Sequence, residues 1–546
     1  MEQTALHKAR LAYQPIVPDQ IKDINNVTIV NGEIIEPKCD KAEIKELFQN
    51  TYGIPICKIQ EGKNDDIHRK IKCGFILSGG PAAGGHNVIA GLFDALKAAN
   101  PENVMIGFRG AAGGILRNNY FEITKEIIDQ YRNMGGFDIV GSGRDKIETD
   151  EHFETAYKNI TALGINLMIV VGGDDSNTNC AVLAEYFKAK GSECVFVGVP
   201  KTVDGDLKNE WIETSFGFDS CCKTYAELIG NIQRDAISSR KYWHFIKVMG
   251  RAASNIGLEV VLQCQPTAYL IGEEIEAKNQ TIEQIGQYLA DIVIDRSTRG
   301  LNFGVCVIPE GVIEFIPEMR VLINQLNDIL SLKKEEFEKC ETFEQQKDFV
   351  LKNVTEAAAK TFQSIPLNIQ QQLLLVRDPH GNVNVSAIET ETFVSSIVKA
   401  EIKKRGVKVP FSVIHHFFGY EGRCCLPSNF DTNYCYALGR TAFIIGALKH
   451  TGRIATVSNL KAPASEWICG GVPLTIMMNM EQRAGHKKPV IQKALVDLEG
   501  KPFKYAQERR EQWAKSEHYL FPGAIQYYGP EEICNQPTKT LLLEQN

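Results

Sequence analysis

Seven short apolar runs constrain this 546-residue chain more than any other feature: Cys73–Leu77, Val104–Phe108, Ile165–Val171, Cys194–Val199, His244–Met249, Gly304–Ile308 and Phe411–Phe418. Amphipathic stretches separate them. Runs of this length alternating with helical periodicity predict βαβ units and a parallel sheet. Their near-continuous apolarity predicts strands covered on both faces. Polar motifs follow six of the seven runs: Ser78-Gly79-Gly80, Gly172-Gly173-Asp174, Lys201 onward, Gly250-Arg251, Pro309-Glu310-Gly311 and Gly419-Tyr420. In open α/β sheets ligands bind outside the carboxyl ends of the strands, so this placement marks a site.

The remaining chain divides by composition. Residues 1–70 are polar and aperiodic, and read as an N-terminal extension wrapping a later core. Residues 320–405 are charge-rich and helical in period, and read as a helical insertion. Ile454–Val457 reads as a further strand. Net charge is −7, which argues against a nucleic-acid binder. The fifteen cysteines are scattered without CxxC or zinc spacing. No signal-peptide core and no membrane-length apolar stretch occurs, which predicts a reducing, cytoplasmic location and no membrane partner.

The densest chemistry is Lys201-Thr202-Val203-Asp204-Gly205-Asp206, directly after a buried strand. Lys and Asp are almost never fully buried unpaired, so the cluster reads as a place where charge is handled. Asp204 can serve as general base, a gain of roughly 10²–10⁴-fold. Lys201 offers a point charge to a phosphoryl group, and Thr202 a hydroxyl donor. The competing reading is a surface turn with Asp-Gly at its tip.

Gly79-Gly80-Pro81-Ala82-Ala83-Gly84-Gly85-His86-Asn87 joins a strand to a helix, where backbone N–H groups and the helix dipole suit phosphate. It is neither a Walker A loop nor GxGxxG; the alternative is a tight turn alone. The pair Asp174-Asp175 suits Mg²⁺, which takes carboxylate and phosphate oxygens, or equally a helix N-terminus. Arg144, Arg251 and Arg423 each follow glycine, and a guanidinium matches phosphate bidentately, at roughly 1.5–3 kcal/mol per charge-assisted bond. Surface ion pairs are the alternative for each. Lys241-Tyr242 is a further basic–aromatic pair. His415-His416 reads as a core pair on a buried run, and the adjacent cysteine pairs as packing residues.

Taken together, GGPAAGGHN, GSGRDKI, GGDDSN, PKTVDGD, KYWHFIKVMGR, IPEG and GYEGRCCLPSNFD resemble the phosphofructokinases, specifically the long pyrophosphate-dependent type, in family order. The resemblance covers residues 71–320 and 405–440. It implies an α/β protein with two Rossmann-like parallel-sheet domains plus a helical insertion. Residues 71–240 would form the donor domain, and 241–319 with 406–450 the sugar-phosphate domain. Residues 320–405 would be the insertion, and 451–546 a segment packing back on the core.

The implied activity is reversible phosphoryl transfer from Mg²⁺–pyrophosphate to fructose 6-phosphate, in glycolysis. Gly80 would present its amide to pyrophosphate, with Arg144 near the phosphates and Asp174 on Mg²⁺. Asp204 would be the base, and Thr202 and Val203 would line the sugar site. Met249, Gly250, Arg251, Glu310 and Tyr420, Glu421, Gly422 and Arg423 would bind the sugar phosphate. Lys241 and Tyr242 would reach across the interface of a homodimer or tetramer. In ATP-using relatives the positions of Asp175 and Lys201 are typically glycine. A carboxylate at Asp175 fills the space of adenosine and its α-phosphate, and Lys201 neutralises a small pyrophosphate. Three alternatives stand beside this reading: an ATP-dependent kinase of the same fold, a non-catalytic sugar-phosphate-binding subunit, and a dinucleotide-binding oxidoreductase.

Overall fold

The computed structural model describes residues 4–143, 145–375, 382–483 and 486–519. They pack as two units. The first comprises the described residues up to Cys221 together with Tyr420–Ala494; the second comprises Cys222–Gly419 and the described residues from Leu495 on.

The first unit begins with two strands in the N-terminal extension, β1 (Val27–Asn31) and β2 (Cys57–Glu61). β3 (Lys72–Leu77), β4 (Val104–Phe108), β5 (Tyr120–Glu122), β6 (Leu167–Gly172) and β7 (Val195–Pro200) follow. The second unit holds β8 (Trp243–Val248), β9 (Ala268–Tyr269), β10 (Gly304–Pro309) and β11 (Val413–Phe418). The chain then adds β12 (Arg453–Ser458), β13 (Ile468–Pro473) and the hairpin β14 (Met478–Arg483) and β15 (His486–Ile491) to the first unit. All seven apolar runs therefore lie on strands.

The first unit's sheet has the order β1-β2-β13-β12-β7-β6-β3-β4-β5. Its centre, from β12 to β4, is parallel, while β1, β2, β13 and β5 join antiparallel. β3, β6 and β7 are buried on both faces after their first residue, as near-continuous apolarity requires. The chain leaves β3 toward β4 on one side and β6 toward β7 on the other. The carboxyl ends of β3 and β6 thus form a topological switch point, where a crevice opens. One core face gathers Phe108, Met168, Phe187 and Phe196. On the other side the helices Gly85–Ala99 and Asn429–Ala447 cross closely. A Cβ on Gly91 would collide with Tyr436 O, and one on Gly439 with Val88 O, so each helix needs glycine at the crossing.

The second unit's sheet is wholly parallel, in the order β11-β8-β10-β9. Connections leave β8 and β10 in opposite directions, giving a second switch point. Its core runs from Trp243 and Phe245 on the sheet to Val350, Phe362 and Phe393 on helices of the 320–405 stretch. That stretch is helical, with no named strand among its described residues. β11 corrects one expectation. It is an edge strand, with Ile414, His415 and Phe417 exposed, so its apolar run is not covered on both faces. No helix among the described residues is long and apolar enough to cross a membrane.

Candidate phosphoryl-transfer site

In the first unit the switch point brings together the loops after β3, β6 and β7. Ser78 N–H continues the pairing of β3 with β6 by donating to Val171 O (2.8 Å), and Gly79 N–H donates to Gly143 O (3.0 Å). Gly79 holds φ +80°, and a Cβ there would lie 3.1 Å from Lys201 Nζ. A Cβ on Gly80 would lie 3.4 Å from Arg423 Cζ. The glycine loop is therefore bare backbone facing an ammonium and a guanidinium, as anion binding requires. Arg423 closes the short helix Tyr420–Arg423, and its Nε is buried without a partner among the described residues. Tyr420 is 72% exposed, with the Arg423 guanidinium 5.0 Å from its ring centroid. Gly422 is buried in the same turn.

Asp174 opens the helix Asp174–Ala189, with Asp175 beside it in the first turn. The preceding turn is held by Asn177, whose Nδ2 donates to Gly172 O (2.6 Å) and Gly173 O (3.0 Å). Both acids lie in the first turn of that helix, where carboxylates answer its dipole. Asp175 Oδ2 is 3.1 Å from Lys146 Nζ. Arg144 lies outside the described residues.

Lys201 leaves β7 with its N–H on Gly172 O (3.0 Å) and is only 6% exposed. Burial pulls its pKa down to about 8; Asp204, Asp174 and Asp206 oppose that shift, and Arg423 adds to it. Thr202 Oγ1 accepts the Asp204 N–H (3.1 Å), and Thr202 O accepts from Ser215 Oγ (2.9 Å), which sets the turn carrying Asp204. Val203 is buried beside it. Asp206, also 6% exposed, is pushed up to about 6 by burial first and then by the charges of Asp204 and Asp174, against Lys493.

In the second unit Met249, Gly250 and Arg251 follow β8, and Glu310 follows β10. Glu310 N–H donates to Val248 O (2.9 Å), and Gly311 N–H to Gly250 O (3.2 Å), so the two loops lie side by side. Glu310 is buried; its O accepts from Thr390 Oγ1 (3.1 Å) and its Oε1 from Ser386 Oγ (3.4 Å). Arg251 is exposed. Exposed Lys241 lies 5.2 Å from the Tyr242 ring centroid, just before β8.

The histidine expectation needs correction. His415 is exposed and meets Ser395 Oγ (2.8 Å), while half-buried His416 places its Nε2 2.9 Å from His244 Nδ1, within hydrogen-bond distance. Sequence reasoning also missed four residues. Lys146 stands within the GSGRDK motif, two positions after the arginine that drew attention. Asp431 closes the GYEGRCCLPSNFD motif without having been singled out, and Lys493 and Glu273 belong to no motif. Asp431, fully buried, accepts from Ser220 N–H (2.9 Å), Ser220 Oγ (2.5 Å) and Gly217 N–H (3.2 Å) at the start of the helix Phe218–Ser239. Glu273 Oε1 accepts from Ser254 N–H and Val496 N–H (both 3.0 Å), which ties down the loop after Arg251.

Comparison with known proteins agrees with this layout. The family model described as Phosphofructokinase matches residues 72–445. A Pyrophosphate--fructose 6-phosphate 1-phosphotransferase of Entamoeba histolytica is 67% identical over 546 residues, covering 100% of both chains. Its namesake from Porphyromonas gingivalis is 48% identical, again over 100% of both. A solved structure of a pyrophosphate-dependent phosphofructokinase from Nitrosospira multiformis is 18% identical, covers 83% of this chain and 93% of its own, and superposes with a TM-score of 0.52. At that identity the likeness shows the fold alone. The switch-point loops, the motifs that fill them and two full-length relatives lead to one assignment: the chain belongs to the phosphofructokinase family.

Proposed function

We propose that this protein transfers a phosphoryl group from pyrophosphate to the C1 hydroxyl of fructose 6-phosphate, reversibly, giving fructose 1,6-bisphosphate and orthophosphate. The observation that carries the donor choice is the filled donor loop. Lys201 is buried against Gly79, and Asp175 is held by Lys146 at the head of its helix. A charged pair there suits a small, highly charged donor and crowds a nucleotide. Relatives 67% and 48% identical carry the matching name over their whole length.

The C1 oxygen attacks the near phosphorus, the bridging P–O bond breaks, and orthophosphate leaves. Such transfer is mostly positioning and charge stabilisation. Asp204, fixed by Thr202, takes the hydroxyl proton. Lys201, Arg423 and the Gly79–Gly80 backbone bear the phosphate charge, with Arg144 assigned beside them. Met249, Gly250, Arg251 and Glu310 are assigned to the sugar phosphate, as are Tyr420, Glu421, Gly422 and Arg423. Lys241 and Tyr242 complete it from a second copy of the chain, in a homodimer or a tetramer. Residues 71–240 act as the donor domain in this reading. The cytoplasm is the proposed location, in keeping with free thiols at every described cysteine.

Mg²⁺ is the cation this reading calls for. Asp204 and Asp174 press on Asp206, and crowding of carboxylates is what a divalent cation relieves. Among the described residues no group of three or more His, Cys, Asp or Glu could hold a metal alone. Mg²⁺ in phosphoryl-transfer sites draws most of its ligands from phosphate and water. Asp174 would hold it, and the bound ion would supply charge neutralisation on the transferred group.

The test is a donor assay with fructose 6-phosphate and Mg²⁺, offering pyrophosphate or ATP. Turnover with pyrophosphate alone supports the reading. Turnover mainly with ATP keeps the fold and the base but overturns the donor assignment; none with either leaves a binding subunit.

A further inference from the structure

The last part of the 320–405 stretch meets the carboxyl ends of β8 and β10. Its apolar side chains Val383, Val385, Ile388 and Phe393 are buried in the second unit's core. Its polar groups bond to the strand ends. Thr390 Oγ1 donates to Glu310 O (3.1 Å), and Ser386 Oγ donates to Glu310 Oε1 (3.4 Å). Lys247, one residue before the end of β8, donates from Nζ to Ile388 O (2.8 Å). The same ammonium lies 3.6 Å from Glu391, in the first turn of the helix Thr390–Lys404.

Packing alone does not call for this junction. Lys247 is 3% exposed and Glu391 6%. Both charges have given up water, and a buried ion pair often stabilises no more than apolar residues of similar volume. What a polar junction adds is direction, because hydrogen bonds constrain angle as well as distance. The residue so directed is Glu310, which is held from two sides. On the strand side its N–H donates to Val248 O (2.9 Å). Gly311 then packs on the Arg251 backbone, where a Cβ would come within 1.8 Å of Arg251 O. On the other side Thr390 fixes the Glu310 carbonyl and Ser386 one carboxylate oxygen. The Ser386 bond is long for a hydroxyl, so Thr390 carries the larger share. A carboxylate that recognises sugar hydroxyls must be held to within about 0.5 Å, by neighbours that lock its rotamer.

We infer that Thr390 and Ser386 are positioning residues for the sugar-phosphate site: the helical insertion holds Glu310 in the orientation that meets fructose 6-phosphate. The inference rests on the assignment of Glu310 to the sugar phosphate above. It gives the 320–405 stretch a part in substrate recognition besides its share of the core.

The test compares Thr390→Val, Thr390→Ser, Ser386→Ala and Glu310→Gln with the parent protein, by steady-state kinetics, calorimetry with fructose 6-phosphate, and Tm. Thr390→Val keeps the volume and removes the hydroxyl. Its KM and Kd for fructose 6-phosphate should rise roughly 3- to 10-fold, the size of one neutral hydrogen bond, with the KM for pyrophosphate within twofold of the parent. Thr390→Ser should recover most of the loss, and Ser386→Ala should show a smaller rise of the same kind. Fructose 6-phosphate constants within twofold of the parent in both Thr390→Val and Ser386→Ala overturn the inference, and a lowered Tm alongside makes the two hydroxyls structural only. An equal rise for both substrates overturns it too. If Glu310→Gln leaves fructose 6-phosphate binding unchanged in an active enzyme, this inference falls and the phosphoryl-transfer reading stands. If the parent neither binds nor phosphorylates fructose 6-phosphate, the broader reading falls and takes this one with it.

Discussion

Lys146 Nζ stands 3.1 Å from Asp175 Oδ2, joining the loop ahead of the helix Asp150–Ala162 to the first turn of the helix Asp174–Ala189. The side chains are 32% and 45% exposed, so the pair holds position more than it stabilises. Replacing Asp175 by glycine removes both the bulk and the partner of Lys146. We expect Asp175→Gly to lower kcat/KM for pyrophosphate by roughly 10- to 100-fold, one charge-assisted interaction, and to admit ATP. Lys146→Ala should shift donor use the same way by less. Donor kinetics unchanged in Asp175→Gly would sink the steric account.

Asp204 is the proposed base, with its backbone held by Thr202 Oγ1. Asp204→Asn keeps the shape and removes the basicity. It should lower kcat by roughly 10²–10⁴-fold, while calorimetry shows fructose 6-phosphate bound within a few-fold of the parent. A variant as fast as the parent would point to another proton acceptor.

Lys201 predicts an alkaline limit. Burial brings its pKa down to about 8, so it carries its charge below that pH and loses it above. The kcat/KM for pyrophosphate should fall as pH rises past about 8. Lys201→Arg, whose guanidinium stays protonated, should move that limb upward even if the rate drops. pH–rate profiles of the two proteins decide this, and a limb at the same pH in both assigns it to another group.

Asp431 governs stability. Burial first, then the neighbouring charge of Asp219, pushes its carboxyl up to about 7. A carboxyl raised in the folded state binds protons that the unfolded chain releases. Its contribution is full below the ordinary carboxylate range and declines as pH rises toward 7. The parent's Tm should therefore gain from pH 8 to pH 6 relative to Asp431→Asn. Asp431→Ala strands the Gly217 and Ser220 donors and should cost about 2–4 kcal/mol, read as a lower Tm at both pH values. Equal Tm values across all three proteins would show that the cap contributes nothing.

The sheet centres and the loops that bear chemistry were legible in the sequence because they depend on local pattern. Apolar runs such as Ile165–Val171 and Cys194–Val199 declare buried strands by themselves, and the glycines and acids after them mark strand ends. The helical period of 320–405 is likewise a property of neighbouring residues. What only the tertiary structure decided depends on partners far apart in the chain. β1 and β2 carry too little periodicity to be read alone and exist as strands because β13 offers them an edge. β11 reads as buried, but it is the last strand of its sheet, and no composition says which strand stands at an edge. A lone lysine has no pattern at all, and an aspartate within a motif does not declare its partner. Lys493 meets Asp174, and Asp431 meets Ser220, only once the C-terminal part of the chain has folded back onto its first unit. Local sequence set where charge would be handled; the fold chose which distant charges would share the site.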